Sequence, residues 1–239
     1  MSVIGGPNIV TDGLLRYLDI GNIKSYPGSG STILDLSGSE NHGTNNGATY
    51  NGMISDPKNF LFNQNDYISG TSLYNDRDEG TVEVWFQHEQ SSHTQQGMIY
   101  FEGTGNGYGD QKEMHFSVST AGAVQIFFEG GSNDLSLDQS GVTTENVWLC
   151  ATATFTGLTS GKSAKIYVNG SLNTSGSATG SYSGSSASSV SYIGRAATTI
   201  SGAYRALTGM IASVRCYDRE LTAAEVKQNY NATKAIFGL

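Results

Sequence analysis

The chain has 239 residues, and its 13 basic against 21 acidic side chains give a formal net charge of −8. Because a negative field repels phosphate backbones and no Lys/Arg cluster interrupts it, nucleic acid is excluded as an expected partner. Residues 1–7 show no basic region followed by an apolar core, and no apolar run is long enough to span a membrane, so neither a signal peptide nor a membrane partner is predicted.

The composition is typical of an all-β protein. There are 31 glycines but only 3 prolines, with 37% hydrophobic and 14% charged residues, which fits many short strands joined by turns. The strand patterns follow one another in this order: Leu14–Asp19, Thr81–Phe86, Met98–Glu102, Met114–Val118, Val124–Phe128, Trp148–Thr156, Lys165–Gly170, Ser191–Arg195 and Gly209–Tyr217. Between the first two, residues 21–47 are polar, and Phe60–Ile68 is predicted to be a hairpin. The pattern does not break, so we expect a single domain over residues 1–239, with its core at 12–235.

Two strands show clear alternation of their side chains. One face of Trp148–Thr156 is apolar and the other mostly polar, which predicts a half-buried strand. The apolar face carries Leu149, Ala151, Ala153 and Phe155, and the other carries Cys150, Thr152 and Thr154. In Gly209–Tyr217 one face is predicted to hold Met210, Ala212, Val214 and Cys216, and the other Ile211, Ser213, Arg215 and Tyr217.

Turn residues and cysteines add local expectations. The Asn-Gly pair at the end of Lys165–Gly170 is a strong hairpin signal. The Ser-rich stretch Ser171–Ser189 is either a flexible surface loop or a polar outer hairpin. Cys150 and Cys216 lie in different predicted strands, so two free thiols are expected, and a disulfide requires that the strands be neighbours.

The end of the chain is the most informative segment. After the strand Gly209–Tyr217, residues Asp218–Glu220 turn the chain, and a short helix follows over Ala223–Tyr230. Thr222 is placed to cap this helix, with Glu225 three residues later as in a capping box. This combination resembles the closing motif of the laminin-G-like jelly-roll domains of the concanavalin A-like lectin/glucanase superfamily, G-x-I-x-x-V-R-x-Y followed by R-x-L-[ST]-x-x-E and a short helix.

Further motifs resemble the same family in the order in which the family shows them. They are Asp35–Gly38 with Asn41–Gly43 (D-x-S-G-x-x-N-x-G), Phe62–Ile68 (F-x-G-x-x-D-Y-I, with Asn63 in place of Gly), Glu83–Phe86 (E-x-W-[FV]), Trp148, Ile166–Gly170 (I-Y-V-N-G) and Ile193–Arg195 (I-G-R). The resemblance implies a two-sheet antiparallel jelly-roll sandwich with one short C-terminal helix.

The opening, Leu18–Asn22 with Lys24–Gly30, resembles stand-alone versions of this domain in tailed phages, notably marine and cyanobacterial ones. The resemblance implies a non-enzymatic protein on the virion exterior, a capsid decoration or a fibre component. It would be a homo-oligomer or be repeated on the particle, with other virion proteins, cell-surface glycans or both as partners. The start at Met1 without a leader leads us to expect a complete gene product. The alternative is a bacterial carbohydrate-binding module or lectin.

Catalysis is not predicted. Glucanases of this superfamily place carboxylates as E-x-D-x-E, whereas Glu83 is followed two residues later by Trp85, so we expect a solvated or hydrogen-bonded glutamate. The chain also lacks the H-E-x-x-H spacing of a zinc protease among its histidines, which are His42, His88, His93 and His115. A zinc ion bound by His88 and His93 is the alternative that these histidines leave open.

Calcium is the better metal candidate. Ca²⁺ binds several hard oxygens from Asp, Asn and loop carbonyls, and many laminin-G-like domains carry one. The candidate ligands are Asp19, Asp35, Asn41 and Asp218, which the fold could bring together for a structural Ca²⁺. The alternative is that Asp35 and Asn41 are turn residues that bond to their own backbone.

Glycan binding requires exposed aromatic rings that stack on sugar faces. Among the 13 tyrosines, Tyr100, Tyr108, Tyr182 and Tyr204 lie in or next to Gly/Ser-rich loops, where they could be exposed. The alternative for most tyrosines is half-buried packing.

Overall fold

The computed structural model describes residues 7–52, 57–63, 65–74, 77–89, 95–101, 113–119, 121–129, 134–158, 160–180, 190–195 and 206–239. Within these ranges the chain forms two antiparallel sheets of eight strands each, sheet A and sheet B. The strands are β1 (Leu14–Asp19), β2 (Thr32–Ile33), β3 (Gly43–Asn46), β4 (Thr49–Asn51), β5 (Asn59–Phe62), β6 (Tyr67–Thr71), β7 (Gly80–His88), β8 (Gln95–Phe101), β9 (Glu113–Ser119), β10 (Val124–Glu129), β11 (Leu135–Gln139), β12 (Leu149–Thr156), β13 (Ser163–Val168), β14 (Ser171–Ser177), β15 (Val190–Ile193) and β16 (Gly209–Tyr217).

Sheet A runs in the order β14-β13-β12-β7-β16-β5-β4, and β1 also pairs with β16. Sheet B runs in the order β11-β10-β9-β8-β15-β6-β3-β2. Apolar residues from both sheets meet in one core, with Val82, Val84 and Phe86 from sheet A, and Phe116 and Ile126 from sheet B. Together with the C-terminal helix α1 (Ala223–Thr233), this confirms the all-β jelly-roll sandwich. No helix in the described ranges is both long and apolar enough to cross a membrane.

The segment Phe60–Ile68 differs from the prediction. β5 pairs with β16 and β4 in sheet A, whereas β6 pairs with β15 and β3 in sheet B. The hairpin prediction is therefore wrong, because the chain crosses here from one sheet to the other. Phe60, Phe62 and Ile68 are all buried in the shared core, so the same apolar pattern suits a hairpin and a crossing equally well.

Strand β16 departs from simple alternation. Its register shifts between Ile211 and Ser213, where a β-bulge forms. The bulge sends Ile211 into the core with Val214 and Cys216, while Ala212 packs on the other face. The predicted grouping of Ala212 with Val214 is therefore wrong, because a bulge inserts one residue and reverses the phase of the strand before it. It lies where β16 changes its neighbour from β5 to β1.

Strand β12 is buried on both faces rather than one. Its apolar side chains enter the main core as predicted, but Cys150 on the opposite face packs with Trp85 and Tyr230. The prediction of a half-buried strand is wrong because the C-terminal segment covers the outer face of sheet A. Tyr230 of α1 stacks on Trp85, and Phe237 of the 3₁₀ helix Lys234–Phe237 lies nearly parallel to it, with ring centroids 3.8 Å apart.

The local turn and capping predictions are confirmed. Thr222 caps α1, and Glu225 completes the capping box. Asn169 and Gly170 both have positive φ, 51° and 71°, as the two central residues of a tight hairpin turn require. The strand β14 that follows shows that the first part of the Ser-rich stretch is a polar outer hairpin, while residues 181–189 lie outside the described ranges.

Cys150 and Cys216 are free and buried. Their strands, β12 and β16, are separated by β7, which pairs with both. The two thiols also lie in different apolar clusters. Burial raises the pKa of Cys216 to about 11, so its thiol stays protonated and unreactive at neutral pH.

Candidate functional site

The outer face of sheet B carries the best candidate for a binding surface. Strand alternation places Ile68, Phe116, Ile126 and Ile193 in the core, so their neighbours lie on the outer face. The strand registers align some of these neighbours in a row across the sheet. The row contains Ser69, Tyr192, His115, Phe127 and Ser136, and the backbone of Tyr100 lies between Tyr192 and His115. An aromatic and polar row on an outer face is a surface that can bind a ligand with mixed polarity.

Near the β6–β15 end of this row lies a cluster of Tyr67, Tyr192 and Arg195, here called the tyrosine–arginine cluster. The two tyrosine rings meet edge to face, with centroids 5.6 Å apart. The Arg195 guanidinium carbon lies 3.8 Å from the centre of the Tyr67 ring and 5.6 Å from that of Tyr192. All three side chains are partly exposed. The cluster therefore offers aromatic faces for stacking and guanidinium donors for hydroxyl or acidic groups.

The close approach of the Gly194 backbone to the Phe62 ring positions Arg195. Gly194 has φ +90°, and a Cβ atom there would lie 2.3 Å from the ring of Phe62. Only glycine fits this position, so the chain can turn directly from β15 to Arg195 above the tyrosines. Nε of Arg195 is buried and has no hydrogen-bond partner among the described residues. The rings of Tyr67 and Tyr192 contact the same guanidinium.

The middle of the row is closed. His115 is only 4% exposed and Ser117 only 2%, although both lie on the outer face. The His115 ring packs against Phe127, with centroids 4.8 Å apart. A ligand therefore has access to the β6–β15 end of this face rather than to its centre.

The tyrosines predicted from the sequence are not those of the cluster. Tyr108, Tyr182 and Tyr204 lie outside the described ranges, and for Tyr100 only the backbone position in β8 is described. Their role stays a prediction. The prediction missed Tyr67 and Tyr192 because it looked for tyrosines in loops. Alternation with the core residues Ile68 and Ile193 was the signal that could have placed both on an outer face.

The Asp35 loop forms the hydrogen-bonded turn that was the alternative to a calcium site. Oδ1 of Asp35 accepts from the backbone N–H groups of Tyr17 (2.7 Å) and Ser37 (2.9 Å). Oδ2 accepts from the Ser37 hydroxyl (2.6 Å) and the N–H of Asn41 (3.0 Å). The buried Arg16 side chain donates to the carbonyl of Asn41 at 2.9 Å and ties the loop to sheet B through Ser191. The loop thus has a complete set of protein partners.

The other predicted calcium ligands lie apart from this loop. Asp19 accepts from the Tyr17 hydroxyl at 2.7 Å and from the N–H of Gly21 at 3.0 Å. Asp218 forms an ion pair with Arg77. In the described part of the chain, no three His, Cys, Asp or Glu side chains form a group that could hold a metal ion. The structure therefore brings together Asp35 and Asn41 only, and calcium binding stays a prediction.

Glu83 belongs to a buried network beneath α1 rather than to an open cleft. It is 1% exposed and forms an ion pair with Arg215, which is equally buried. Its second oxygen accepts from Thr152 at 3.3 Å and from Asn229 of α1 at 3.4 Å. Burial, and then the charge of Glu83, raise the pKa of Tyr217. The carboxylate is therefore a hydrogen-bonded face residue, one of the two forms that the sequence predicted.

The histidines do not form a site among the described residues. His88 shares a hydrogen bond with the Thr143 hydroxyl at 2.8 Å, and burial lowers its pKa. His42 accepts from the N–H of Asp35 at 3.0 Å. His93 lies outside the described ranges, so the pair with His88 stays a prediction.

Comparison with known proteins adds a family and a fold. The Laminin_G_3 model, described as the concanavalin A-like lectin/glucanases superfamily, matches residues 62–227. No curated protein matches the sequence.

Solved structures resemble this one at low sequence identity. Domain 4 of AbnA, an extracellular arabinanase from Geobacillus stearothermophilus in complex with arabinotriose, shares 16% identity, with a TM-score of 0.63 over 91% of this chain and 98% of that one. The botulinum neurotoxin serotype D binding domain shares 14%, with a TM-score of 0.60 over 92% of this chain and 52% of that one. The carbohydrate-binding module CBM40 of a Ruminococcus gnavus sialidase, bound to sialyllactose, shares 17%, with a TM-score of 0.54 over 69% and 85%. The chain thus spans about half the length of the toxin domain.

Proposed function

Because the chain belongs to the laminin-G-like family of the concanavalin A-like lectin/glucanases superfamily, we propose that it is a non-enzymatic glycan-binding protein that uses the outer face of sheet B. The observation that carries the proposal is the tyrosine–arginine cluster, whose partly exposed rings and guanidinium lie at an accessible end of that face. Two of the similar structures are complexes with saccharides, arabinotriose and sialyllactose, which supports the ligand class.

The absence of catalysis is also a proposal, and it rests on the position of Glu83. Glycoside hydrolysis requires two carboxyl groups about 5–9.5 Å apart on either side of the scissile bond. Glu83 is buried, paired with Arg215, and lies on the outer face of sheet A, away from the tyrosine–arginine cluster. We expect no release of reducing ends when the protein is incubated with a panel of polysaccharides. Activity that disappears in Glu83→Gln would overturn this part of the proposal.

The glycan proposal is tested on a glycan array, followed by calorimetry with the strongest ligand. Tyr67→Ala and Tyr192→Ala remove the stacking faces, and we expect each to weaken binding roughly tenfold, because an aromatic contact contributes about 1.5 kcal/mol. Leu172→Ala is the matched control, since Leu172 is 55% exposed on the edge strand β14 of the other sheet. Glycan binding that is unchanged in both tyrosine variants would contradict the proposed site.

For the biological setting, we propose the exterior of a phage particle, as a capsid decoration or part of a fibre. The support is the resemblance of residues 18–30 to stand-alone phage versions of the domain. Repetition on a particle would turn weak glycan sites into useful avidity. Mass mapping of purified particles tests this setting. If the protein is absent from virions and present only in a secreted cellular fraction, a bacterial carbohydrate-binding module or lectin takes its place.

A further inference from the structure

A second candidate site lies on the opposite sheet, in a groove of about 620 Å³ between β1, β16 and the C-terminal 3₁₀ helix. We call it the β1–β16 groove. Its volume falls within the range of about 300–1,000 Å³ that is usual for small-molecule sites. It is separate from the tyrosine–arginine cluster, because β1 and β16 belong to sheet A.

Four side chains form the floor of the groove. Tyr17 and Arg215 are cross-strand neighbours, and so are Asp19 and Ser213. The bulge in β16 adds Ala212 to the same side, so two consecutive residues of this strand line the groove. Bulges of this kind are common next to functional sites, where they redirect side chains.

The floor is fixed in place by its own hydrogen bonds. The Tyr17 hydroxyl donates to Oδ2 of Asp19 at 2.7 Å, and the N–H of Gly21 donates to Oδ1 at 3.0 Å. Each carboxylate oxygen therefore retains a lone pair that can accept from a ligand. The Arg215 guanidinium carbon lies 4.7 Å from the centre of the Tyr17 ring and, being only 1% exposed, supports that ring from beneath.

The charges of the groove are balanced. Arg215 is neutralised by Glu83, while Asp19 is matched by Lys58, an exposed cation on the rim. A groove with no net charge has no electrostatic preference for phosphate, a nucleotide or a metal ion. The polar groups instead suit a neutral ligand that both donates and accepts hydrogen bonds.

The walls of the groove are apolar. Ile23 is 76% exposed on one side, Ile236 is 56% exposed on the other, and the half-buried Phe237 lies beside Ile236. Exposed aliphatic and aromatic walls above a floor of carboxylate and hydroxyl groups match a sugar ring, which has C–H faces and a hydroxyl edge. We infer that the β1–β16 groove is a second saccharide site, specific for a neutral pyranose or furanose unit.

This inference shares the ligand class of the proposed function but not its site. With sites on the outer faces of opposite sheets, one molecule would bind two glycan chains at once and cross-link them. The experiment is therefore chosen so that either site can fail by itself.

The test is an amide chemical-shift titration with methyl glucoside, methyl galactoside and methyl arabinofuranoside, and with glucuronate as a charged comparator. We expect at least one neutral glycoside to shift Gly21, Ser213 and Ile236 saturably, and more strongly than glucuronate does. The shifts should persist in the double variant Tyr67→Ala/Tyr192→Ala. Asp19→Asn should weaken the binding roughly tenfold, because it removes a charged acceptor. Asp12→Asn, which changes an exposed carboxylate outside the groove, should not.

The outcomes separate the two sites. Shifts confined to the tyrosine–arginine cluster, an absence of groove shifts with every glycoside, stronger groove shifts with glucuronate than with the neutral glycosides, or groove binding unchanged in Asp19→Asn would overturn the inference. Groove shifts without any response of the cluster would support it and overturn the proposed site on sheet B. Should Asp19→Asn lower the melting temperature strongly, Ser213→Ala gives the same test, since it removes one hydroxyl from the floor and leaves the Tyr17–Asp19 bond in place.

Discussion

On the outer face of sheet A, Glu83, Trp85 and Arg215 are each no more than 1% exposed, whereas on the outer face of sheet B, Tyr67 and Tyr192 are partly exposed. Both faces arise from the same alternation of side chains along antiparallel strands. The difference is the C-terminal segment, which packs over sheet A, places Asn229 against Glu83 and stacks Phe237 on Trp85. An aromatic or charged side chain on an outer face therefore contributes to stability where the face is covered and is available for binding where it is not.

The largest expected effect is a loss of stability when the buried ion pair on the covered face of sheet A is broken. Glu83→Ala leaves the buried Arg215 without its counter-ion, and we expect the free energy of unfolding to fall by about 3–5 kcal/mol. Urea denaturation measures it, with the exposed Glu145→Ala as the control. The double variant Glu83→Met/Arg215→Met should lose less than the single variant, because no unpaired charge remains. A decrease in the free energy of unfolding of less than about 1 kcal/mol in Glu83→Ala would show that this buried network does not stabilise the outer face of sheet A.

The next effect concerns the helix that covers sheet A. Hydrogen bonds from Arg219, together with those from the backbone and hydroxyl of Thr222, lower the pKa of Glu225 to about 2. A lowered folded-state pKa stabilises the protein above the unfolded pKa, and this contribution is lost as the pH falls from about 4.5 towards 2.

The pH dependence of Glu225→Gln provides the check. This variant should be less stable than the parent protein at pH 7, and the difference should shrink on acidification, as followed by thermal melting. A difference that stays constant down to pH 2 would contradict the role of the Glu225 carboxylate. A Glu→Gln change on sheet B is not expected to alter the stability of the helix.

A smaller effect is expected on the open face. Arg195→Met removes a cation–π contact at a partly exposed site, which contributes about 0.5–1 kcal/mol. Urea denaturation should show a change of this size, while glycan affinity should fall more clearly because the guanidinium donors are lost. If Arg195→Met lost as much stability as Glu83→Ala, the side chains on the outer face of sheet B would contribute to stability as much as those on sheet A.

Local patterns predicted the strands and turns, and the resemblance to the laminin-G-like family implied their arrangement as a jelly roll. The capping box at Thr222 and the Asn-Gly turn depend on neighbouring residues, and both were confirmed, whereas the half-buried state of β12 and the simple alternation of β16 were not. The Phe60–Ile68 crossing and the β16 bulge were not predicted, because they depend on which strands become neighbours in space. An apolar pattern reports that a side chain is buried but not in which sheet its strand lies.

The candidate sites were harder to predict for the same reason. Tyr67 with Tyr192, and Asp19 with Ser213, come together only through the pairing of strands that are far apart in sequence. The sequence could identify Asp19 as an oxygen ligand, but it could not show that Tyr17 and Gly21 donate to it. Nor could it show that α1 covers Glu83 and leaves Tyr67 open.

The smallest expected effect tests the calcium prediction. The Asp35 carboxylate already accepts four hydrogen bonds from Tyr17, Ser37 and Asn41, so a metal ion would have to displace donors that satisfy it. We therefore expect a chelator to change the melting temperature by less than about 1 °C, since an ion that does not bind the folded state cannot stabilise it. Asp35→Asn should lower the melting temperature equally with and without chelator, because it weakens the turn itself. A larger chelator effect that Ca²⁺ reverses, and that disappears in Asp35→Asn, would instead establish a calcium site in this loop. The Asp35 loop would then be a second region that stabilises the fold, besides the covered outer face of sheet A. The outer face of sheet B would still differ from both, because it is exposed.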